Sequence, residues 1–237
     1  MTHRPHHPSR LAFATLFAVL GGFTVAALVT GRDVQAHDAT APHGAMHVTT
    51  SRHGARVSAR ELAFRQEMRR LWEEHVTWTR LAVISLTTDA PDTSATVGRL
   101  LQNQTDIGNA VKPYYGAAAG DALTSLLREH ILIAADLIAA ARTGDGASVA
   151  TQQARWTANA DQIAAFLSSA NPRFWKLPAM KTMMHDHLRL TTDEVVARLE
   201  ANWAGDVAAY DAIHLQGLQM ADMLSIGIVD QFPRRFR

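Results

Sequence analysis

The sequence predicts an all-α protein, an antiparallel helical bundle of four main helices plus one or two accessory ones, and three observations carry that expectation. Apolar residues recur at three- and four-residue steps over long stretches. No segment alternates with period two. The breaks between stretches are short and built from Pro, Gly, Asp and Asn. Long helices joined by short turns must pack antiparallel against their chain neighbours.

The first element is an export segment. Arg4 and Arg10 precede an apolar run from Leu11 to Val29, followed by Gly31-Arg32-Asp33-Val34-Gln35-Ala36. A basic start, an apolar stretch and small residues before the cut make a secretory signal, with cleavage expected after Ala36. The alternative is an uncleaved anchor, since the run approaches the ~20 residues a membrane helix needs. Gly21-Gly22 within the run favours cleavage. Both readings put the remainder outside the cytoplasm, periplasmic or secreted, with membrane contact only if residues 11–29 are retained.

Residues 37–57 are polar and lack helical periodicity, which predicts a flexible tail. Cleavage after Ala36 would leave His37 as the N-terminus, where an amino group and an imidazole could together hold Cu(II), with His43, Met46 and His47 as further ligands. The plainer reading is a solvated linker.

From Ser58 the pattern changes, and residues 58–237 form the bundle domain. Phe64, Met68, Leu71, His75, Trp78 and Ala82 trace one amphipathic helix to about Thr88. Asp89-Ala-Pro91-Asp92 breaks it. A second helix runs to about Tyr115 on Leu100, Asn103, Ile107 and Val111. Gly116 to Gly120 is expected as a turn. A third helix carries Leu123, Leu127, His130, Ala134 and Leu137, and stops at Gly144-Asp-Gly146. The fourth, with Trp156, Asn159, Ile163 and Phe166, stops before Asn171-Pro172. A shorter helix spans about Phe174 to Leu190. Thr191-Thr-Asp193-Glu194 reads as an N-terminal cap, opening a long last helix from about Thr192 to Val229.

Two internal echoes suggest repeated helical hairpins. Glu74-His75, Glu129-His130 and Asp186-His187 each set an acid before a histidine on a core stripe. Asn103 and Asn159 recur in similar surroundings, with Asn202 as a looser third copy.

A single histidine on a core stripe is usually a satisfied structural residue. Three in one local setting, with Asn103, Asn159, Asn202, Asp206 and Tyr210 also on or near inward faces, make a polar core that must satisfy itself or bind something. Imidazole and carboxylate together suit iron, manganese, zinc or copper, and bundle cores host such sites. The candidate metal ligands are Glu74, His75, Asp106, Glu129, His130, His187, Asp206 and Tyr210. Each acid beside a histidine lies ~100° around the helix, so it can instead support from behind or face solvent. Met180, Met183, Met184, His185 and His187, with Met220 and Met223, form a cluster suited to copper or to filling the core. Trp72, Trp78, Trp156, Trp175 and Trp203, with Tyr114 and Tyr115, could line an apolar pocket.

Composition narrows the alternatives. Formal net charge is +1 and no basic stripe occurs, so nucleic acid is not an expected partner. The absence of cysteine excludes thiol catalysis, disulfides and iron–sulfur clusters. No phosphate-binding glycine loop, Gly-x-Ser-x-Gly elbow, Glu-x-x-His pair or His-Glu-x-x-His motif is present.

Leu71-Trp-Glu-Glu-His75-Val-Thr-Trp-Thr-Arg80, the stretch from Asn202 to Tyr210-Asp211 and the closing Gln231-Phe-Pro233 resemble an uncharacterised family of small bacterial helical proteins. The likeness covers roughly residues 60–236 and implies the domain limits rather than a mechanism. The functional expectation is an exported metal-binding bundle handling copper or iron. The alternative is a scaffold or binding module with a structural polar core, taking an apolar ligand or a protein partner. A ferritin-like metal-dependent oxidoreductase stands third.

Overall fold

In the computed structural model residues 57–237 are described; the apolar run, the Ala36 cleavage position and the His37–His47 segment lie outside them. The described residues form an all-α bundle of six helices: α1 (Ala59–Thr88), α2 (Thr93–Tyr115), α3 (Ala117–Thr143), α4 (Gly146–Ala170), α5 (Leu177–Leu199) and α6 (Trp203–Gln231). A 3-10 turn, Pro233–Phe236, follows. Each helix packs mainly on its chain neighbours, and α6 closes back on α1, so the six make a ring. Helix α1 also touches α3 and α5 across the middle. The ring is tied where it begins and ends: Ser58 caps α1 by accepting from Glu61 N at 3.1 Å, and its hydroxyl donates to the Phe236 carbonyl.

Two boundaries differ from the sequence expectation. Residues 117–120 are helical rather than a turn, because Gly108 and Gly120 let α2 and α3 touch through their backbones. A Cβ on Gly108 would stand 2.7 Å from the Gly120 carbonyl oxygen, and one on Gly120 would stand 2.6 Å from that of Gly108. The second difference is larger. Thr191-Thr-Asp193-Glu194 lies inside α5, where the Thr191 hydroxyl donates to the His187 carbonyl and Glu194 is buried. The break comes at residues 200–202. Ala201 takes the left-handed conformation (φ 57°), Ala201 N donates to Arg198 O, and Asn202 N donates to Ala197 O. This is a Schellman ending. Asn202 then caps α6 by accepting from Gly205 N at 3.0 Å. The cap signal was real chemistry at the wrong place, since Thr and Glu are tolerated inside a helix when tertiary partners take their polar atoms.

With that boundary moved, the six helices resolve into three hairpins, α1–α2, α3–α4 and α5–α6. Each carries its histidine on the first helix. Each turns through a left-handed residue fourteen positions later: Asp89 after His75, Gly144 after His130, Ala201 after His187. Asp92, Asp145 and Asn202 are the N-caps of the three second helices. The looser third echo is therefore corrected: Asn202 is an exposed cap and does not correspond to Asn103 and Asn159. Among the described residues, no helix is long and apolar enough to cross a membrane.

Candidate functional site

Helices α1, α3 and α5 bring His75, His130 and His187 together in the centre of the ring. Each is at most 5% exposed. The His187 ring lies between the other two, its centroid 5.8 Å from that of His75 and 6.1 Å from that of His130.

The same arrangement fixes each ring. Asn159 Nδ2 donates to Leu126 O at 3.2 Å, which turns its Oδ1 to His130 Nδ1 at 2.8 Å. Gln216 Nε2 donates to Met183 O at 3.1 Å, which turns its Oε1 to His187 Nδ1 at 3.1 Å. In both hairpins the amide binds the carbonyl four residues before the histidine. Asn103 likewise donates to the carbonyl four residues before His75, Leu71 O, at 3.0 Å. Gln104 Nε2 also stands 3.1 Å from His75 Nδ1, but its two hydrogens serve Leu100 O and Asn103 Oδ1. An amide oxygen at Nδ1 assigns the Nδ1–H tautomer to His130 and His187 and leaves their Nε2 as a lone pair, whereas the group facing Nδ1 of His75 is an amide nitrogen.

The Nε2 of His130 is buried without a hydrogen-bond partner among the described residues. All three rings line one cavity of about 40 Å³, whose remaining wall includes Leu127, Ile163, Met183, Met184, Met220 and Leu224. Gln104 and Trp72 also line it, and Gln104 Oε1 and Trp72 Nε1 are buried without partners. An unmade buried hydrogen bond costs about 1–3 kcal/mol. Several orphaned groups on one cavity are therefore a substantial unmet demand.

Electrostatics keep the trio neutral. Burial, reinforced by the neighbouring imidazoles, pushes His75 and His130 down to about 3; burial also lowers His187. Among the described residues no carboxylate offsets this.

The eight candidate ligands thus divide. His75, His130 and His187 converge. Glu74 turns outward to Arg70 and to Arg99, the latter at 3.1 Å. Asp106 accepts from Gln102 on the outside of α2, and Glu129 is exposed. Asp206 and Tyr210 belong to a separate ionic cluster. There Arg80 binds Glu194 at 2.8 Å and Asp206 in bidentate fashion, Arg198 binds Asp206 at 2.9 Å, and Tyr210 lies under the Arg80 guanidinium. Among the described residues no group of three His, Asp or Glu side chains is already arranged to hold a metal ion.

The other sequence candidates separate in the same way. Met183, Met184 and Met220 line the cavity, whereas His185 pairs on the surface with Asp161 at 2.9 Å. Trp72 and Trp175 line it too, and Trp156 packs against His130 with centroids 5.2 Å apart. Trp78 stacks under Arg99, and Trp203 is exposed. Gln216 was missed, although its spacing of 29 residues from His187 equals that from His130 to Asn159.

Compared with protein-family models, curated proteins and solved structures, the chain matches none.

Proposed function

We propose that this protein binds a single copper ion, as Cu(I), on the Nε2 atoms of His75, His130 and His187. The observation that carries the reading is the set of three buried imidazoles on one cavity, His130 and His187 anchored at Nδ1 by an amide oxygen and the Nε2 of His130 buried without a partner. Anchoring the far nitrogen of a ligand histidine is how proteins fix its tautomer and orientation. Neutral rings have no proton to give up before binding.

Imidazoles sharing one ion at metal–nitrogen distances of ~2.0–2.1 Å have centroids roughly 5–6 Å apart. Two of the three ring pairs, at 5.8 and 6.1 Å, stand near that spacing. Copper is favoured over iron by the donors. Non-haem iron sites recruit a carboxylate, and here the acids face solvent or arginine, while methionine sulfurs stand in the cavity wall. With residues 1–36 as an export segment, such a protein would hold copper outside the cytoplasm.

Copper content after anaerobic loading with Cu(I) tests this. One copper per chain is expected, lost in His130→Ala with helical content retained; no stoichiometric copper in the wild type would refute it. The second reading, a small apolar ligand without metal, is favoured by the apolar wall. An organic occupant co-purifying with a copper-free protein would establish it.

A further inference from the structure

A ligand held by the imidazoles alone would leave two other buried polar atoms of the same cavity unanswered: Trp72 Nε1–H, a donor, and Gln104 Oε1, an acceptor. With the His130 Nε2 lone pair they make one donor and two acceptors without partners among the described residues. Each of the three side chains is at most 5% exposed. Trp175 also borders the cavity, but its Nε1 is turned to Gly227, where an added Cβ would stand 2.0 Å away. The rest of the wall is mainly leucine, isoleucine and methionine, and no Asp, Glu, Lys or Arg lines it. An ion there would be desolvated and unpaired, which excludes it. A hydrocarbon leaves all three atoms unanswered, and a carbonyl oxygen answers Trp72 alone. A hydroxyl oxygen accepts and donates from one atom, so it answers the donor and an acceptor together. The volume of about 40 Å³ is roughly three times the ~10–15 Å³ that one water needs, and well short of the ~150 Å³ that admits benzene.

We propose that the central cavity binds one uncharged hydroxyl oxygen, of water or of a short aliphatic alcohol, which accepts from Trp72 Nε1 and donates to His130 Nε2. Burial keeps the His130 ring neutral, so Nε2 stays an acceptor near pH 7. Water has a second hydrogen for Gln104 Oε1, and about three hydrogen bonds are usual for a buried water. An alcohol leaves Gln104 Oε1 unmet and instead sets its alkyl end against the apolar wall. The inference goes beyond the copper reading and concerns the metal-free chain, because copper on His130 Nε2 and a hydroxyl donating to it exclude one another.

The full chain, freed of metal by a chelator and labelled with 15N, is tested by rotating-frame Overhauser contacts to the Trp72 indole N–H. That resonance is the one lost in Trp72→Phe. A contact to the water line is expected, with the sign that separates it from proton exchange. Ethanol is then added. Transfer of the contact to the ethanol methyl group makes an alcohol the ligand, and a contact that stays with water makes it water; either result supports the hydroxyl site. No contact with water or ethanol overturns it. Crystals of the same protein read the site without any variant. An oxygen within ~3.2 Å of both Trp72 Nε1 and His130 Nε2 is expected, and an empty cavity or an oxygen touching neither atom overturns the proposal. Copper uptake is measured separately. Its failure leaves the hydroxyl site standing, and failure of the hydroxyl site leaves His130 Nε2 open to copper.

Discussion

His130 and Asn159 are joined by a 2.8 Å hydrogen bond between Nδ1 and Oδ1, and the Asn159 amide is held in that orientation by the Leu126 carbonyl. One side chain thus sets both the position and the tautomer of the imidazole. Replacing Asn159 with Leu orphans His130 Nδ1 and removes the second donor to the Leu126 carbonyl, which keeps its helical partner. The expected loss is about 1–3 kcal/mol of stability and roughly 10–100-fold in copper affinity. Urea denaturation and a competitive Cu(I) titration read the two effects separately. Unchanged copper affinity would show that the amide serves the fold alone.

The buried trio makes the metal-free protein sensitive to mild acid. His75 and His130 titrate near 6.5 when unfolded and are held at about 3 in the fold, first by burial and then by neighbouring imidazoles. Between those values the unfolded chain binds protons that the folded chain refuses, so stability is full above about 6.5 and falls as pH drops. Well below 6.5 each histidine contributes up to ~1.4 kcal/mol per pH unit. His187 acts in the same direction. The urea midpoint should fall between pH 7 and pH 5, a window above the titration of most carboxylates, and fall less in His130→Leu. A midpoint constant across that window would contradict the neutral, buried trio.

The sequence carried the bundle and its three histidines because both depend on short-range spacing. The apolar stripes gave the helices, and the echo of His75, His130 and His187 marked equivalent places on α1, α3 and α5. The third amide was hidden because Gln216 replaces Asn, and a longer side chain reaches the same ring and carbonyl. Asn202 attracted the assignment instead, since an N-cap and a buried amide look alike in one dimension. Glu74 and Glu129 were offered as ligands by adjacency alone. One residue of helix turns a neighbour ~100° away, and their places outside the centre follow from that. That Asp206 pairs with Arg80, 126 positions earlier, depends on the ring closing α6 onto α1.

The Arg80 cluster is expected to be structural. Glu194 and Asp206 side chains are 1% and 3% exposed, and Arg80 bridges them. Burial pushes the Glu194 carboxyl up despite Arg80, whereas at Asp206 the penalty of burial is outweighed by Arg80 and Arg198, which hold it low. Arg80→Met strands Glu194, and removing one partner of a buried pair costs about 3–5 kcal/mol, reduced here by Arg80's own contact with solvent. Arg80→Lys should recover little, because a point charge cannot serve both acids with the geometry of a guanidinium. Tyr210→Phe keeps the ring under Arg80 and should change stability by less than ~0.5 kcal/mol, with copper content unaltered. Loss of copper in Tyr210→Phe would instead return Tyr210 to the ligand set.

Gly227 makes room for Trp175 in the cavity wall. A Cβ at position 227 would stand 2.0 Å from Trp175 Nε1 and 2.8 Å from Cδ1, while Trp175 is only 2% exposed. The indole cannot retreat to solvent, so Gly227→Ala must drive it toward the space it borders. Overpacking of this kind costs about 1–3 kcal/mol, measurable as a lower urea midpoint, with a change in tryptophan fluorescence reporting the displaced ring. The conflict is with the five-membered part of the indole. Trp175→Leu removes Nε1 and Cε2, and in that background the added methyl should cost less than it does beside tryptophan. Equal costs in the two backgrounds would place the strain in the α6 backbone. A smaller cost beside leucine identifies Gly227 as the residue that lets Trp175 wall the cavity without filling it.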